Sequence, residues 1–325
     1  MPHPDQIFSL SSDREFELLA LETFRCQYEG NEAYREFVDA CHITPARVTR
    51  PAQIPFLPIS LFKSRDVITR QAPPQAVFRS SGTTGQERSR HMVSDLGIYR
   101  RSFLSGFERF FGPVADVQFL ALAPNVEQAP DSSLVYMLEK MMDRSSSPEN
   151  GFFLSNHSGL KARLTQKRAP GRKVMMIGLA YALLDFAEAY PGDYSPMFVV
   201  ETGGMKGHRP EITRDELHAR LCPALGVDRI CSEYGMTELL SQAWSQGDGL
   251  FSAPPWMRVM IRDLADPFSW VAPGEVGGIS IIDLANIHSC SFIATEDLGR
   301  LHPDGRFEVL GRFAAAEVRG CSLLI

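Results

Sequence analysis

The sequence predicts an α/β protein in which a largely parallel sheet is followed by a smaller β subdomain. Between residues 75 and 250, short apolar runs alternate with stretches of helical period, an order that builds parallel sheets. After about Ser252 the pattern changes to short strands separated by Pro and Gly turns, as in "GEVGGISIIDLANIHSC". We therefore expect a helical segment over 1–50, an α/β core over 51–250 and a β subdomain over 251–325.

The N-terminal segment is predicted to be helical. Residues 13–42 carry apolar side chains at mostly three- and four-residue spacing, and Glu29-Gly30-Asn31 interrupts the pattern. Two helices are therefore expected. The following run, "IPFLPISLFKSRDV", holds two prolines among apolar residues, which favours an extended segment.

The core is predicted to alternate between strands and helices. Strands are expected at 75–78 and 116–124, at the start of "GRKVMMIGLAYALLDFAEAY" (171–190) and in "PMFVVETGG", where a glycine turn follows. Helices are expected from about Asp95 to Phe111, in "SSLVYMLEKMMD", in the later part of residues 171–190, and in "RDELHARLCPALG". The run "RICSEYGMTELLSQAW" is predicted to be a strand, a loop and a helix.

Composition excludes several classes of protein. The net charge of −6 gives no bulk attraction to nucleic acid or to an anionic membrane. The longest apolar run, Val174 to Leu184, is too short to span a bilayer, and the N-terminus lacks the layout of a secretory signal. The six cysteines are scattered without a C-x-x-C pair, which argues against a zinc site and a disulfide framework. A reducing, cytoplasmic compartment is expected.

A loop rich in Ser, Thr and Gly lies within "FRSSGTTGQERSRHM", Phe78 to Met92. Placed between a strand and a helix, it would offer amides, hydroxyls and a helix N-terminus to a phosphate. The spacing matches neither the Walker pattern, nor the dinucleotide pattern, nor the nucleophile elbow of hydrolases. A plain surface turn is the alternative for this loop taken alone.

The loop is followed by "YGMTE" (234–238), "TEDLGR" (295–300) and "GRFAAAEVRG" (311–320). This ordered set resembles the adenylate-forming superfamily of acyl-CoA synthetases and phenylacetate-CoA ligases. More closely, "IPFLPISLFKS", "SSGTTG", "ETGGMKGHR", "CSEYGMTEL" and "RGCSLL" look like the acyl-protein synthetases of the LuxE type. These are the fatty-acid-activating subunits of bacterial fatty acid reductase complexes. The resemblance extends over roughly residues 50 to 325 and implies the fold of the superfamily's N-terminal domain.

The resemblance implies that ATP and Mg²⁺ are used to convert a carboxylic acid, a fatty acid in this family, to acyl-AMP. It assigns the phosphates to Ser80, Ser81, Gly82, Thr83, Thr84 and Gly85. It assigns adenine packing to Tyr234, an α-phosphate contact to Thr237 and Mg²⁺ to Glu238, whose carboxylate suits that ion. The alternative for the last two is that Thr237 caps a helix whose first turn exposes Glu238.

Further nucleotide contacts follow from the same resemblance. Asp297 and Arg312 match the family's ribose-binding aspartate and the arginine that reaches the same sugar. Gly203 and Gly204 lie in the segment that matches the adenine-contacting glycines. The structural alternatives are a β-turn acid for Asp297, a solvated strand-end charge for Arg312 and an ordinary glycine turn for Gly203 and Gly204.

The sequence departs from the superfamily after "RGCSLLI". Full-length members carry a further lid domain with a catalytic lysine, which is not found here, as in the acyl-protein synthetases. In those proteins a cysteine near the C-terminus accepts the acyl group and carries it to a reductase subunit, and Cys321 matches it. The nine residues from Arg312 to Cys321 reach about 30 Å at most. The alternative is that Cys321 is a small apolar residue of a docked tail.

Three functions remain open at this point. The leading hypothesis is an ATP-dependent ligase that forms acyl-AMP and transfers the acyl group to Cys321 and then to a partner reductase or carrier. The alternatives are an adenylating ligase that uses CoA or a carrier-protein thiol, and a nucleotide-binding scaffold without acyl transfer. His91 and His208 are expected to be surface or structural residues, and Cys231 a core residue. Lys206 is a weaker candidate to replace the missing lysine.

Overall fold

The computed structural model describes residues 1–69, 73–81, 87–166 and 171–313. The α-helices there are α1 (Pro4–Phe8), α2 (Asp13–Gly30), α3 (Glu32–Ala40), α4 (Leu61–Ser64), α5 (Leu96–Phe111), α6 (Ser133–Ser145), α7 (His157–Leu164), α8 (Ala180–Ala189) and α9 (Arg214–Leu225). None of these helices is both long enough and apolar enough to cross a membrane.

Strands occupy much of the remaining chain. In order, the strands of the described residues are β1 (Leu57–Pro58), β2 (Ala76–Arg79), β3 (Arg90–Val93), β4 (Val117–Leu122), β5 (Gly151–Phe152), β6 (Lys173–Leu179), β7 (Phe198–Thr202), β8 (Cys231–Tyr234), β9 (Ala243–Ser245), β10 (Met257–Arg262), β11 (Val276–Asp283), β12 (Phe292–Leu301) and β13 (Phe307–Arg312). A 3-10 helix, Leu284–Asn286, follows β11 directly.

The described chain forms two compact units, and each is discontinuous in sequence. The first unit contains the described residues of Met1–Ser102, Met236–Ser241 and Ser252–Ile325. The second contains those of Phe103–Gly235 and Gln242–Phe251. The segment Met236–Ser241 thus belongs to the first unit, although the residues on both sides of it belong to the second. The domain boundaries expected at residues 50 and 250 stay a prediction.

The second unit is built on the predicted parallel sheet. Its strand order is β5-β4-β6-β7-β8-β9, and every neighbouring pair is parallel except β8 with β9. All six residues of β4 and six of the seven in β6 are buried. Strands covered on both faces are expected to have such continuous apolar sequences. The predicted fold class, α/β with a parallel sheet, is confirmed.

The first unit holds the β structure that the sequence predicts after residue 252. Its main sheet has the order β1-β12-β11-β10, with β13 also paired to β12. β1 is parallel to β12, and the other pairs are antiparallel. The two predicted N-terminal helices are present as α2 and α3. Asn31 separates them because its side chain caps α3 at Tyr34 N (3.1 Å) and donates to the Ser289 carbonyl (3.1 Å).

Two local predictions are wrong. The run after "YGMTE" is not a helix, because Ala243–Ser245 form β9 and pair antiparallel with β8. Residues 238–245 are buried without interruption, and a short apolar run of this kind does not distinguish strand from helix. The segment predicted to be extended around Leu57 contains the short helix α4 as well as β1.

The close approach of β4 and β6 in the second unit can be tested by adding a side chain at Gly178. A Cβ added at Gly178 would lie 2.6 Å from the Leu122 Cβ, so Gly178→Ala must displace the neighbouring strand. We expect a loss of about 1–3 kcal/mol in the free energy of unfolding, measured by urea denaturation. At Gly204 the added Cβ would meet its nearest atom at an ordinary 3.6 Å. Gly204→Ala is therefore the control, and an equal loss in both variants would contradict the explanation.

Candidate functional site

The Ser/Thr/Gly loop joins two strands of a hairpin. β2 and β3 pair antiparallel, with Arg79 opposite Arg90, and helix α5 begins only after β3. The predicted position between a strand and a helix is therefore wrong, because the buried alternation of His91 and Val93 makes this run a strand. The helix N-terminus does not directly follow the loop. Gly82, Thr83, Thr84 and Gly85 lie outside the described residues, as does Gln86.

The stem of this loop is closed by hydrogen bonds around Ser80. Its amide donates to the Ser89 carbonyl (3.2 Å), and its hydroxyl accepts from the Ser89 amide (2.9 Å). The Arg88 guanidinium donates to the Ser80 carbonyl. Ser81, an exposed residue, follows directly. The hairpin therefore holds Ser80 in place, while phosphate binding by Ser80 and Ser81 stays a prediction.

Thr237 and Glu238 lie in the irregular segment after β8. Glu238 is only 4% exposed, and burial raises the pKa of its carboxyl. A hydrogen bond with the Ser89 side chain and the positive charges of Arg312 and Lys63 act in the opposite direction. The alternative of a helix-capping Thr237 with a solvated Glu238 is wrong, since Glu238 is buried and the following residues form a turn and then β9.

Buried side chains hold the backbone of this segment. The Asp283 carboxylate accepts from the amides of Leu240 (2.9 Å) and Ser241 (3.0 Å) and from the Ser241 hydroxyl (2.6 Å). His91 and Asn286 contact the carbonyls of Thr237 and Glu238. Sequence reasoning did not select Asp283 or Asn286. The available signal was the presence of Asp283 and Asn286, together with Ser280, in the mostly apolar run "ISIIDLANI".

The predicted ribose pair is brought together by the pairing of β12 with β13. Asp297 lies opposite Arg312 in the register, and its Oδ1 is 3.4 Å from the Arg312 Nε. The Asp297 amide donates to the Thr295 hydroxyl (3.1 Å), which fixes the backbone at this point. Asp297 is 8% exposed, whereas the Arg312 side chain is 83% exposed. One buried acceptor thus lies beside a solvated cation; contact with ribose stays a prediction.

The second unit holds the predicted glycine turn and aromatic residue. Gly203 and Gly204 follow β7, and Gly203 has a positive φ of 63°, which glycine adopts without strain. Tyr234, at the end of β8, is buried, with its ring centroid 5.9 Å from that of Phe251. Both positions lie at the carboxyl ends of parallel strands, where ligands of open α/β sheets commonly bind. Their contacts with adenine stay predictions.

A carboxyl group that sequence reasoning did not single out lies beside Tyr234. Glu233 accepts a hydrogen bond from the Thr202 hydroxyl (2.5 Å), on the neighbouring strand β7. Burial raises the pKa of Glu233 to about 7; the Thr202 hydrogen bond opposes this shift, the Glu201 charge adds to it and Lys206 opposes it. Carboxyl groups with such raised pKa values cluster at functional sites. Glu201 itself pairs with Arg214 at 3.2 Å.

The remaining polar candidates have structural roles or surface positions. Cys231 is buried, as predicted for a core residue, and burial raises the pKa of its thiol to about 11. His208 is exposed and stacks on Tyr181 with 4.2 Å between ring centroids. Lys206 is exposed. Cys321 lies outside the described residues, and the cysteines inside them are free thiols.

The donor set of the site fits Mg²⁺ as a partner of bound phosphate. The described residues hold no group of three or more His, Cys, Asp or Glu side chains placed to bind a metal ion. Mg²⁺ is commonly held by one or two carboxylates together with phosphate oxygens and water. Glu238, a buried carboxyl group with a raised pKa, would gain stabilisation of its charged form from a neighbouring cation.

Solved structures with a similar fold include a 2-hydroxyisobutyryl-CoA ligase and MatB. A 2-hydroxyisobutyryl-CoA ligase in the postadenylation state, in complex with R3-HIB-AMP, aligns over 95% of this chain and 70% of its own, with a TM-score of 0.68 and 12% identity. ATP-bound MatB from Rhodopseudomonas palustris aligns over 75% of this chain with a TM-score of 0.56 and 17% identity. The alignment spans about half, 49%, of MatB. These likenesses show the fold, in agreement with the prediction.

Sequence comparison identifies the family. No curated protein matches the chain significantly. The model of the family described as acyl-protein synthetase, LuxE, matches residues 6–325, which is nearly the whole sequence. The match extends beyond the range over which the motifs indicated the resemblance. The chain therefore belongs to the LuxE acyl-protein synthetase family.

Proposed function

We propose that this protein uses ATP to activate a carboxylic acid as acyl-AMP and then transfers the acyl group to Cys321. The observation that carries the first step is the arrangement in the first unit of the buried Glu238, the Asp297–Arg312 pair and the hairpin stem at Ser80. Family membership and the fold of adenylate-forming ligases support it. The acid is proposed to be a fatty acid, on the family resemblance.

The first step makes the carboxylate a better acyl donor. A carboxylate oxygen attacks the α-phosphorus of ATP, the bond from this phosphorus to the bridging oxygen breaks, and pyrophosphate leaves. The hairpin loop is proposed to bind the phosphates, and Thr237 to contact the α-phosphate. Bound by Glu238, Mg²⁺ would neutralise phosphate charge. Most of the catalysis would then come from positioning and charge stabilisation, as in other phosphoryl chemistry.

The second step requires an accessible thiolate. The Cys321 thiolate attacks the acyl carbonyl carbon, the bond to the AMP oxygen breaks, and a thioester and AMP result. Burial raises the pKa of Cys231 to about 11 and that of Cys290 to about 12, which makes both thiols poor nucleophiles at neutral pH. Delivery from Cys321 to a reductase or carrier protein is the proposed fate of the acyl group.

A second candidate is an adenylating ligase with CoA as the final acceptor. It is favoured by two of the similar solved structures, a 2-hydroxyisobutyryl-CoA ligase and a malonyl-CoA ligase. The first step is the same in both proposals, and they differ in whether Cys321 is acylated.

Acid-dependent pyrophosphate exchange tests the first step. With ATP, Mg²⁺ and a panel of fatty and aryl acids, we expect radioactive pyrophosphate to enter ATP only when a suitable acid is present. Acyl-AMP should be detected by mass spectrometry under the same conditions. Binding of ATP without exchange for any acid would instead favour the nucleotide-binding scaffold.

Replacing Cys321 separates the two acceptors. After incubation with ATP, Mg²⁺ and the activated acid, the intact mass of the wild-type protein should increase by one acyl group, removable with hydroxylamine. Cys321→Ser should keep acyl-AMP formation and lose the hydroxylamine-sensitive adduct. The control is Cys222→Ser, because Cys222 is a partly exposed thiol. This variant should still be acylated, at Cys321. Unchanged transfer to CoA in Cys321→Ser would favour the CoA ligase.

Replacing Glu238 tests the metal assignment. Glu238→Gln keeps the size of this buried side chain and removes the charge, so the exchange rate should fall about 10²–10³-fold, with a higher Mg²⁺ requirement. Mg²⁺ titrations of exchange measure both effects. Glu296→Gln is the control, because Glu296 is an exposed residue of β12. An unchanged Mg²⁺ requirement in Glu238→Gln would contradict the assignment.

A further inference from the structure

Two buried side chains hold the carbonyls of Thr237 and Glu238. His91, on β3, lies with its Nδ1 2.7 Å from the Thr237 carbonyl oxygen. Asn286, at the end of the 3-10 helix after β11, donates from Nδ2 to the Glu238 carbonyl oxygen at 2.7 Å. Both side chains have no exposed surface. Consecutive carbonyls of the segment are therefore held by side chains from two separate parts of the first unit.

The hydrogen bond to Thr237 determines the tautomer of His91. A carbonyl oxygen can only accept, so the proton of the neutral ring lies on Nδ1. Burial lowers the pKa of His91 to about 4, and this shift is opposed by the hydrogen bond with the Thr237 carbonyl and by the Asn286 side chain, which lies within hydrogen-bonding range of the ring. That range does not make a direct bond between the two side chains, because Nε2 of the neutral ring and Asn286 Oδ1 are both acceptors. The ring is therefore neutral at pH 7. Its Nε2 is an unprotonated acceptor.

Asn286 also presents an acceptor. Its Nδ2 donates to the Glu238 carbonyl, so the other atom of the amide group is Oδ1. Among the described residues, neither His91 Nε2 nor Asn286 Oδ1 has a hydrogen-bond partner, and the Ser94 Oγ has none either. All three residues line a cavity of about 10 Å³. This volume is close to the minimum that holds one water, and a water stabilised in a protein interior needs two to four polar partners. A water can donate to both acceptors, which cannot bond to each other.

We propose that His91 and Asn286 are positioning residues for the adenylation reaction, and that one buried water hydrogen-bonded to both side chains maintains their orientations. This rests on the proposed function, in which Thr237 contacts the α-phosphate and Glu238 binds Mg²⁺. The water donates to His91 Nε2 and Asn286 Oδ1, and the Ser94 hydroxyl can donate to the water. With Nε2 and Oδ1 satisfied, Nδ1 and Nδ2 remain directed at the two carbonyls.

The position of the segment depends on these contacts because it has no regular backbone pairing at Thr237 and Glu238. Asp283 holds the amides of Leu240 and Ser241, two and three residues after Glu238. A loss of either carbonyl contact would let the functional side chains shift, and a displacement of about 1 Å at a reacting centre can cost about 10²-fold in rate. Neither His91 nor Asn286 is proposed to touch a substrate.

Two buried asparagines provide a matched comparison. Asn286 donates to the Glu238 carbonyl and Asn31 to the Ser289 carbonyl, and both are fully buried. Asn→Asp at either position keeps the size and removes the donor. We expect Asn286→Asp to lower the kcat of acid-dependent pyrophosphate exchange about 10²-fold. Asn31→Asp should lower Tm by an amount comparable to that of Asn286→Asp. Its kcat should nevertheless stay within about threefold of the wild-type value. Equal kcat losses in the two variants would show a merely structural role and overturn the proposal.

Substitutions of His91 test the carbonyl contact itself. His91→Asn can still donate from a position near that of Nδ1, whereas His91→Leu cannot. If the two variants have equal Tm values, we expect the kcat of His91→Asn to lie between that of His91→Leu and that of the wild-type protein. Equal kcat values in these two variants would overturn it.

A measurement that needs no activity keeps this inference distinct from the proposed function. Long-range ¹H–¹⁵N correlation of histidine-labelled protein, assigned with His91→Asn, should show a neutral ring protonated at Nδ1 at pH 7. Cross-relaxation between water and the His91 Hε1 proton should reveal the bound water. An Nε2-protonated or charged ring, or no water contact, would overturn the inference. Failure of exchange with every acid, with these signals present, would instead contradict the proposed function.

Discussion

The interaction on which the candidate site depends is the set of hydrogen bonds made by the Asp283 carboxylate. It accepts from the Leu240 and Ser241 amides and from the Ser241 hydroxyl. The Ser241 oxygen in turn accepts from the Trp256 indole (3.0 Å) and lies 3.0 Å from the Ser102 hydroxyl. Removing one partner of such a buried, fully bonded charge is costly. These contacts attach Met236–Ser241 to the first unit.

Burial of acidic groups is the second constraint. Burial raises the pKa values of Glu238 and Glu233, because an isolated carboxylate loses its hydration when it is removed from water. Around Glu238, the Ser89 hydrogen bond and the charges of Arg312 and Lys63 offset part of this cost. Around Glu233, the Thr202 hydroxyl and Lys206 do so. A bound cation would likewise stabilise the charged form of Glu238, because it would replace part of the hydration that the buried carboxylate has lost.

Much of the fold was predictable because its signals are local. Apolar periodicity indicated α2 and α3, and continuous apolar runs indicated β4 and β6. The errors arose where two conformations share one local pattern. "ELLSQAW" is a buried run that fits a helix or a strand, and its pairing with β8 determines that it ends in a strand. The strand "RHMV" after the Ser/Thr/Gly loop is likewise defined by its partner β2.

The sequence by itself determined the family, the parallel-sheet core, and the residue types available for nucleotide chemistry, because motifs and periodicity are properties of neighbouring residues. The tertiary structure alone decided that Glu238 is buried, that Asp297 faces Arg312, and that His91 and Asn286 hold the motif backbone. His91 and Thr237 are 146 positions apart, and Asn286 and Glu238 are 48 apart. Contacts between residues so distant in sequence depend on how strands pair and which side chains lose water, and local patterns do not encode either.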